Sequence, residues 1–252
     1  MEFGKNPNGK EFDLENIQEI SNSPLKGKTI YWLGSSVTKG EASEGLSMAD
    51  YLAKRNNLTS VKSVISGSTM FGANEETSYV FRVEYDPILD RNKKIDAFIC
   101  QISTNDSNRI EARGNILEGI FDKTQFDKNT TAGAIEFIIS YVHEVWGCPI
   151  YFYSGSYFGK DKYDGDRDAP WCPGDRYQEV IDLVKKAIDK YSVQPGYQIA
   201  LIDLFNDDFF NQKASKEAFK WYMKDPIHPT KAGYLIWWTP YFEEYLLNHI
   251  CH

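Results

Sequence analysis

Five short apolar runs, separated by helical or polar stretches, constrain this chain more than any other feature. They are TIYWLG (29–34), SVKSVIS (60–66), DAFICQIS (96–103), PIYFYSG (149–155) and YQIALIDL (197–204). Runs this short and this apolar suit strands covered on both faces, the condition of a parallel sheet. Helical spacing appears in LSMADYLAKRNN (46–57), in TAGAIEFIISYVHEVWG (131–147) with Gly147 as its stop, and in RYQEVIDLVKKAIDKY (176–191). It appears again in LIWWTPYFEEYLLNHI (235–250), where Pro240 marks a start or a kink. Strands alternating with helices predict an α/β domain with right-handed crossovers. These elements fill residues 27–252 as one domain, leaving 1–26 as an irregular arm packed on it. Residues 155–176 have no periodicity and read equally as a wall or lid over a site and as a plain surface excursion.

Partners are bounded by charge and hydropathy. A formal net charge of −8 disfavours a nucleic-acid backbone, which rewards clustered Lys and Arg. No run approaches the ~18 apolar residues of a membrane span. The opening MEFGKNPNGKEFDLENIQEI has no apolar stretch of the secretory kind, so a cytoplasmic protein is expected. Cys100, Cys148, Cys172 and Cys251 lie far apart with no CxxC pair, against both a zinc ribbon and a dense disulfide framework. Cys100 and Cys148, in or beside apolar runs, are expected as small core residues. No His, Cys and carboxylate cluster points to a metal, and no cofactor is expected.

Open parallel sheets bind ligands beyond the carboxyl ends of their strands. The first run ends there in Gly34-Ser35-Ser36, and either serine could be a nucleophile or a helix cap. A serine hydroxyl needs a base, most often histidine. Of four histidines, His249 and His252 lie in the tail and His143 inside a helix, so a histidine base would be His228 in KDPIHPTKAGY. Asp225, three residues earlier in a loop stiffened by Pro226 and Pro229, can turn its carboxylate onto Nδ1. Candidate oxyanion donors at strand ends are the Ser36 N–H, the Gly67 N–H and the Asn105 side chain. Taken singly, each residue also reads as a turn or cap residue.

Together, Ser36 in GSSV, Gly67 in ISGST, Asn105 in STND and Asp225 with His228 in DPIHPT resemble the four blocks of the SGNH, or GDSL-like, hydrolases. The resemblance spans residues 28–234 and implies a flavodoxin-like three-layer α/β/α domain with strand order 2-1-3-4-5. It implies Ser36 as nucleophile, His228 as base oriented by Asp225, and an oxyanion hole from Ser36, Gly67 and Asn105. Two positions depart from the family pattern. Ser35 stands where the family has Asp, which threatens turn geometry, and Ser103 stands for Gly, whose added Cβ could crowd the hole. Without Gly-x-Ser-x-Gly, the α/β-hydrolase pattern lacks its main signature.

The expected function is a serine esterase acting on short-chain acyl esters, acetyl foremost, of a small sugar or glycoside. Tyr153, Tyr157, Phe158, Tyr163 and Trp171 are candidate lining residues, or core. The alternative is a catalytically idle relative that binds carbohydrate in the same cleft. Nothing in the sequence sets the oligomeric state.

Overall fold

The computed structural model describes residues 6–158 and 174–250. The strands are β1 (Thr29–Gly34), β2 (Thr59–Val64), β3 (Ala97–Gln101), β4 (Ile150–Tyr153) and β5 (Ile199–Ile202). They form one all-parallel sheet in the order β2-β1-β3-β4-β5. The helices are α1 (Ser36–Lys39), α2 (Met48–Asn56), α3 (Tyr79–Tyr85), α4 (Thr131–Trp146), α5 (Gly174–Ser192), α6 (Asp208–Gln212), α7 (Lys216–Tyr222) and α8 (Thr239–Ile250). Those packed on the sheet divide between its faces: α2 and α8 cover one, and α3, α4 and α5 the other.

The period-2 alternation of a strand accounts for the aromatic content of β1, where every residue is buried. Tyr31 meets Trp146 at the end of α4, while its neighbour Trp32 meets Phe242 of α8 on the opposite face. The central β3 and β4 are likewise buried throughout, whereas β2 and β5 at the edges are mostly half-buried. Helix α4 begins with the Thr130 hydroxyl accepting from the Gly133 N–H (3.1 Å) and stops at left-handed Gly147, as its sequence predicts.

Three departures from the sequence reading have physical causes. The predicted strands run past the paired segments, because residues beyond the last ladder bond turn away to build the ends of the sheet. The last helix continues without a break from a π-helical stretch, Gly233–Trp238, and Pro240, at the start of α8, has no N–H to give to the carbonyls of that preceding turn. Helix α3 is not among the predicted helices, because YVFRVEY is rich in β-branched and aromatic residues that favour strands; its Ser78 cap accepts from the Phe81 N–H (3.2 Å).

The N-terminal segment is tied to loops at the carboxyl end of the sheet. Asn8 donates to Ala42 O (2.9 Å) and accepts from the Lys231 N–H (2.8 Å). The buried Lys231 ammonium bridges Asp13 and Glu44, each at 2.6 Å. Cys100 and Cys148 are free and buried; Cys172 and Cys251 lie outside the described residues. Among the described residues no helix is long and apolar enough to cross a membrane.

Candidate active site

The turn after β1 is built around Gln101, the last residue of β3. Its Oε1 accepts from the Ser35 N–H (3.0 Å), the Thr38 N–H (3.1 Å) and the Thr38 hydroxyl (2.6 Å), and its Nε2 donates to Ser35 Oγ (2.9 Å). Ser35 is fully buried and its hydroxyl is engaged, so the residue standing for the family's Asp holds the turn through Gln101. A Cβ at Gly34 would lie 1.8 Å from Thr38 Oγ1, which is why the strand must end in glycine. This geometry starts α1 at Ser36.

The loop carrying the histidine is equally fixed. Lys224 N–H donates to His228 O and Thr230 N–H to Tyr222 O, both at 2.8 Å. Within it Asp225 Oδ1 accepts from the backbone N–H groups of Ile227 (2.8 Å) and His228 (2.9 Å). The carboxylate then meets His228 Nδ1 through Oδ2 at 2.8 Å and Oδ1 at 3.0 Å. His228 Nε2 lies 2.8 Å from Ser36 Oγ, across 192 positions of chain. Partial burial pushes the Asp225 carboxyl up, but the bond to His228, the imidazole's charge and the two N–H groups outweigh it and leave it below its ordinary value. Glu41, at the exposed rim with Lys39 and Ser66, is held low by their bonds and also by the charge of His228.

Among the described residues the backbone N–H groups of Ser36 and Gly67 donate to no protein acceptor. Asn105 Nδ2 donates to Ser68 O (2.9 Å) and Ser103 Oγ (3.2 Å), and Ser103 Oγ itself donates to Ser68 O (2.9 Å). Ser103 is buried and its hydroxyl is held by Ser68 O.

Gly67 has φ +79° and faces open space, with nothing within 4 Å of an added Cβ. Gly67→Ala thus meets no clash, only left-handed strain of about 1–2 kcal/mol. A Tm lower by a few degrees with reduced kcat is expected; an unchanged Tm would refute the strain argument.

Asp106, next to Asn105, is fully buried and accepts from the Met70 N–H (3.0 Å) and the Thr131 hydroxyl (3.2 Å). Burial pushes its carboxyl up to about 7 against the pull of those bonds. The folded state then holds a proton that the unfolded chain, with an Asp value of about 3.9, releases. The resulting stability is full below about pH 4 and is lost as pH rises through about 7. Asp106→Asn should remove this dependence, so the variant's stability relative to wild type should rise between pH 5 and pH 8. Thermal melts giving a constant difference would refute it.

The remaining sequence candidates fall elsewhere. Tyr153 is fully buried behind the turn, its hydroxyl 2.6 Å from Thr38 Oγ1. Phe158 and Tyr157 pack on Phe205, while Tyr163 and Trp171 lie outside the described residues. His143 stacks on Tyr197 and His249 on Tyr245. Among the described residues no group of three His, Cys, Asp or Glu side chains could hold a metal ion.

No family model matches this sequence, and no curated protein does. Solved structures do match. One is named as a GDSL-like lipase from Bacteroides ovatus: it is 16% identical, with a TM-score of 0.56, over 88% of this chain and 99% of the other. A carbohydrate acetylesterase family member from Sinorhizobium meliloti is 15% identical, with a TM-score of 0.54, over 88% of this chain and 99% of its own. A catalytic mutant of an acetylxylan esterase from Geobacillus stearothermophilus is 17% identical, with a TM-score of 0.52, over 89% and 94%. Strand order, layers and these neighbours agree: the chain has the three-layer α/β/α fold of the SGNH, or GDSL-like, hydrolases.

Proposed function

We propose that this protein is a serine esterase that removes short acyl groups, acetyl foremost, from a polar alcohol such as a sugar, through an acyl-enzyme. The observation that carries the reading is the continuous line from Asp225 through His228 to Ser36 Oγ, with hydrogen bonds of 2.8 Å at both imidazole nitrogens. Ser36 Oγ attacks the ester carbonyl carbon as His228 Nε2 takes its proton, and Asp225 stabilises the imidazolium. The developing oxyanion meets the N–H groups of Ser36 and Gly67 and the side-chain amide of Asn105, each donor worth about 3–4 kcal/mol of barrier. Collapse expels the alkoxide, which takes the proton from His228. Water, deprotonated by His228, then attacks the acyl-enzyme and releases the acid and Ser36.

Substrate class is supported by the surroundings of Gly67. It opens on a cleft of about 240 Å³ lined by Ser68, Thr69, Thr77, Glu75, Arg109 and Glu111, with Phe71 as its aromatic. Such walls suit a hydroxyl-rich alcohol portion and not a long acyl chain. The acetyl esterases among the structural neighbours lend the acetyl preference.

A fluorophosphonate probe followed by peptide mass spectrometry tests the reading. An adduct on Ser36 that His228→Ala abolishes is expected, with turnover of acetyl esters well above octanoyl esters. Folded protein that takes no label and turns over no ester would refute it in favour of an idle carbohydrate-binding relative.

A further inference from the structure

Arg82, on α3, is 3% exposed and makes no ion pair with any described carboxylate within 4 Å. Taking a guanidinium out of water costs several kcal/mol unless its donors are all met. Here all five N–H groups are met, none by a carboxylate. Nε donates to Thr77 O (2.9 Å), and Nη1 to Ser63 O and Ser63 Oγ, the latter at 3.0 Å. Nη2 donates to Gly34 O (2.9 Å) and Ser68 Oγ (3.2 Å). The nearest negative charge is reached through a hydroxyl, since Ser63 Oγ donates to Asp86 Oδ2 (2.6 Å).

The two acceptors of Nη2 belong to the two turns that must cooperate. Gly34 O is the carbonyl of the peptide whose N–H, on Ser35, is held by Gln101 (3.0 Å). That peptide is gripped at both ends, and it directly precedes the one that carries the Ser36 N–H. Ser68 follows Gly67, and its hydroxyl also closes the Gly67 turn by donating to Ile65 O (2.6 Å). One nitrogen with two hydrogens in a fixed planar fork therefore spans the nucleophile turn and the glycine turn. A lysine ammonium, a single centre on a flexible stem, cannot hold the same five acceptors.

We propose that Arg82 is a positioning residue for catalysis, its guanidinium setting the separation and orientation at which the Ser36 and Gly67 N–H groups converge on one oxyanion. The inference rests on the reading of Ser36 as nucleophile. Misplacing oxyanion donors affects the transition state and not ground-state binding, so the loss falls on kcat.

The test compares wild type with Arg82→Lys, Arg82→Gln, Ser68→Ala and Ser63→Ala, using acetyl-ester hydrolysis and the rate of fluorophosphonate labelling at Ser36. Folded fraction is set by circular dichroism. Expected for both Arg82 variants is a kcat lower by roughly 30- to 300-fold with KM within about threefold, labelling slowed in parallel, and no rescue by Lys over Gln. Ser68→Ala, which removes one arm of the fork and the hydroxyl bond that closes the Gly67 turn, should lose roughly 3- to 10-fold in kcat with a Tm lower by a few degrees. Ser63→Ala should leave kcat unchanged, since it removes a bond to neither turn. Arg82 variants and Ser68→Ala that keep wild-type kcat and labelling per folded molecule would overturn the inference alone. If the Arg82 variants do not fold, an unchanged kcat in Ser68→Ala overturns it. Wild-type protein with no label and no turnover overturns the esterase reading and this inference together.

Discussion

Ser36→Ala is expected to lower hydrolysis of an activated acetyl ester by roughly 10⁴- to 10⁶-fold while leaving the fold intact. The magnitude follows from what the hydroxyl does. Without Oγ no acyl-enzyme forms, and what remains is the contribution of the oxyanion donors and of binding to a direct attack by water, roughly 10³–10⁴ over the uncatalysed reaction. The cost to folding is set by a separate inventory. Ser36 is 8% exposed, and its side chain makes one hydrogen bond, to His228 Nε2. Losing a single partly buried bond costs about 0.5–1.5 kcal/mol, a Tm change of a few degrees in a chain of this size. A collapse in kcat with near-native Tm and an unchanged circular dichroism spectrum is therefore the expected pair of results. Turnover retained within tenfold by the purified variant would exclude Ser36 as nucleophile. Ser35 could not take its place, because its hydroxyl is buried and held by Gln101.

The elements legible in the sequence are those whose partners matter least. β1, β3 and β4 are buried on both faces, and a strand so placed must be apolar whatever packs against it. The same holds for α4, where a threonine cap, an apolar stripe and a terminal glycine are all local signals. Ser36, Asp225 and His228 could be selected because chemistry restricts which residue types serve and the topology restricts where they stand. What the sequence conceals is the support behind them. Gln101 reads as one polar residue at the end of an apolar run, and Arg82 as a charge in a stretch resembling a strand. Their partners are mostly backbone carbonyl and N–H groups 48 to 66 positions away for Gly34 and Ser35, and a carbonyl leaves no mark in sequence. Tyr153 illustrates the converse: an aromatic at a strand end reads as a candidate for the cleft, yet the pleat turns it beneath the turn after β1, against Trp238 and Phe242.

Asp225→Asn is expected to lower kcat by roughly 10⁴-fold with KM nearly unchanged, the magnitude seen when the acid of a serine-protease triad is amidated. The loop geometry says why an isosteric change should be so severe. Asp225 Oδ1 accepts two backbone N–H bonds, from Ile227 and His228, so an amide NH₂ placed there would face two donors. The asparagine must keep its oxygen at that position and put its NH₂ where Oδ2 was, 2.8 Å from His228 Nδ1. A donor at that point can bond only an unprotonated Nδ1. The imidazole is then held with its hydrogen on Nε2, facing Ser36 Oγ at 2.8 Å, and a nitrogen that already carries a proton cannot accept one. The variant thus preserves the loop, the Ser36 contact and the oxyanion donors, and inverts one tautomer. Nitrogen NMR of the imidazole should report that inversion directly, alongside a Tm close to wild type. If the variant retains kcat within tenfold, Asp225 does not fix the tautomer of His228. If kcat falls as expected while the imidazole keeps its wild-type tautomer, the loss comes from the missing negative charge beside the imidazolium, and Asp225 acts by electrostatics alone.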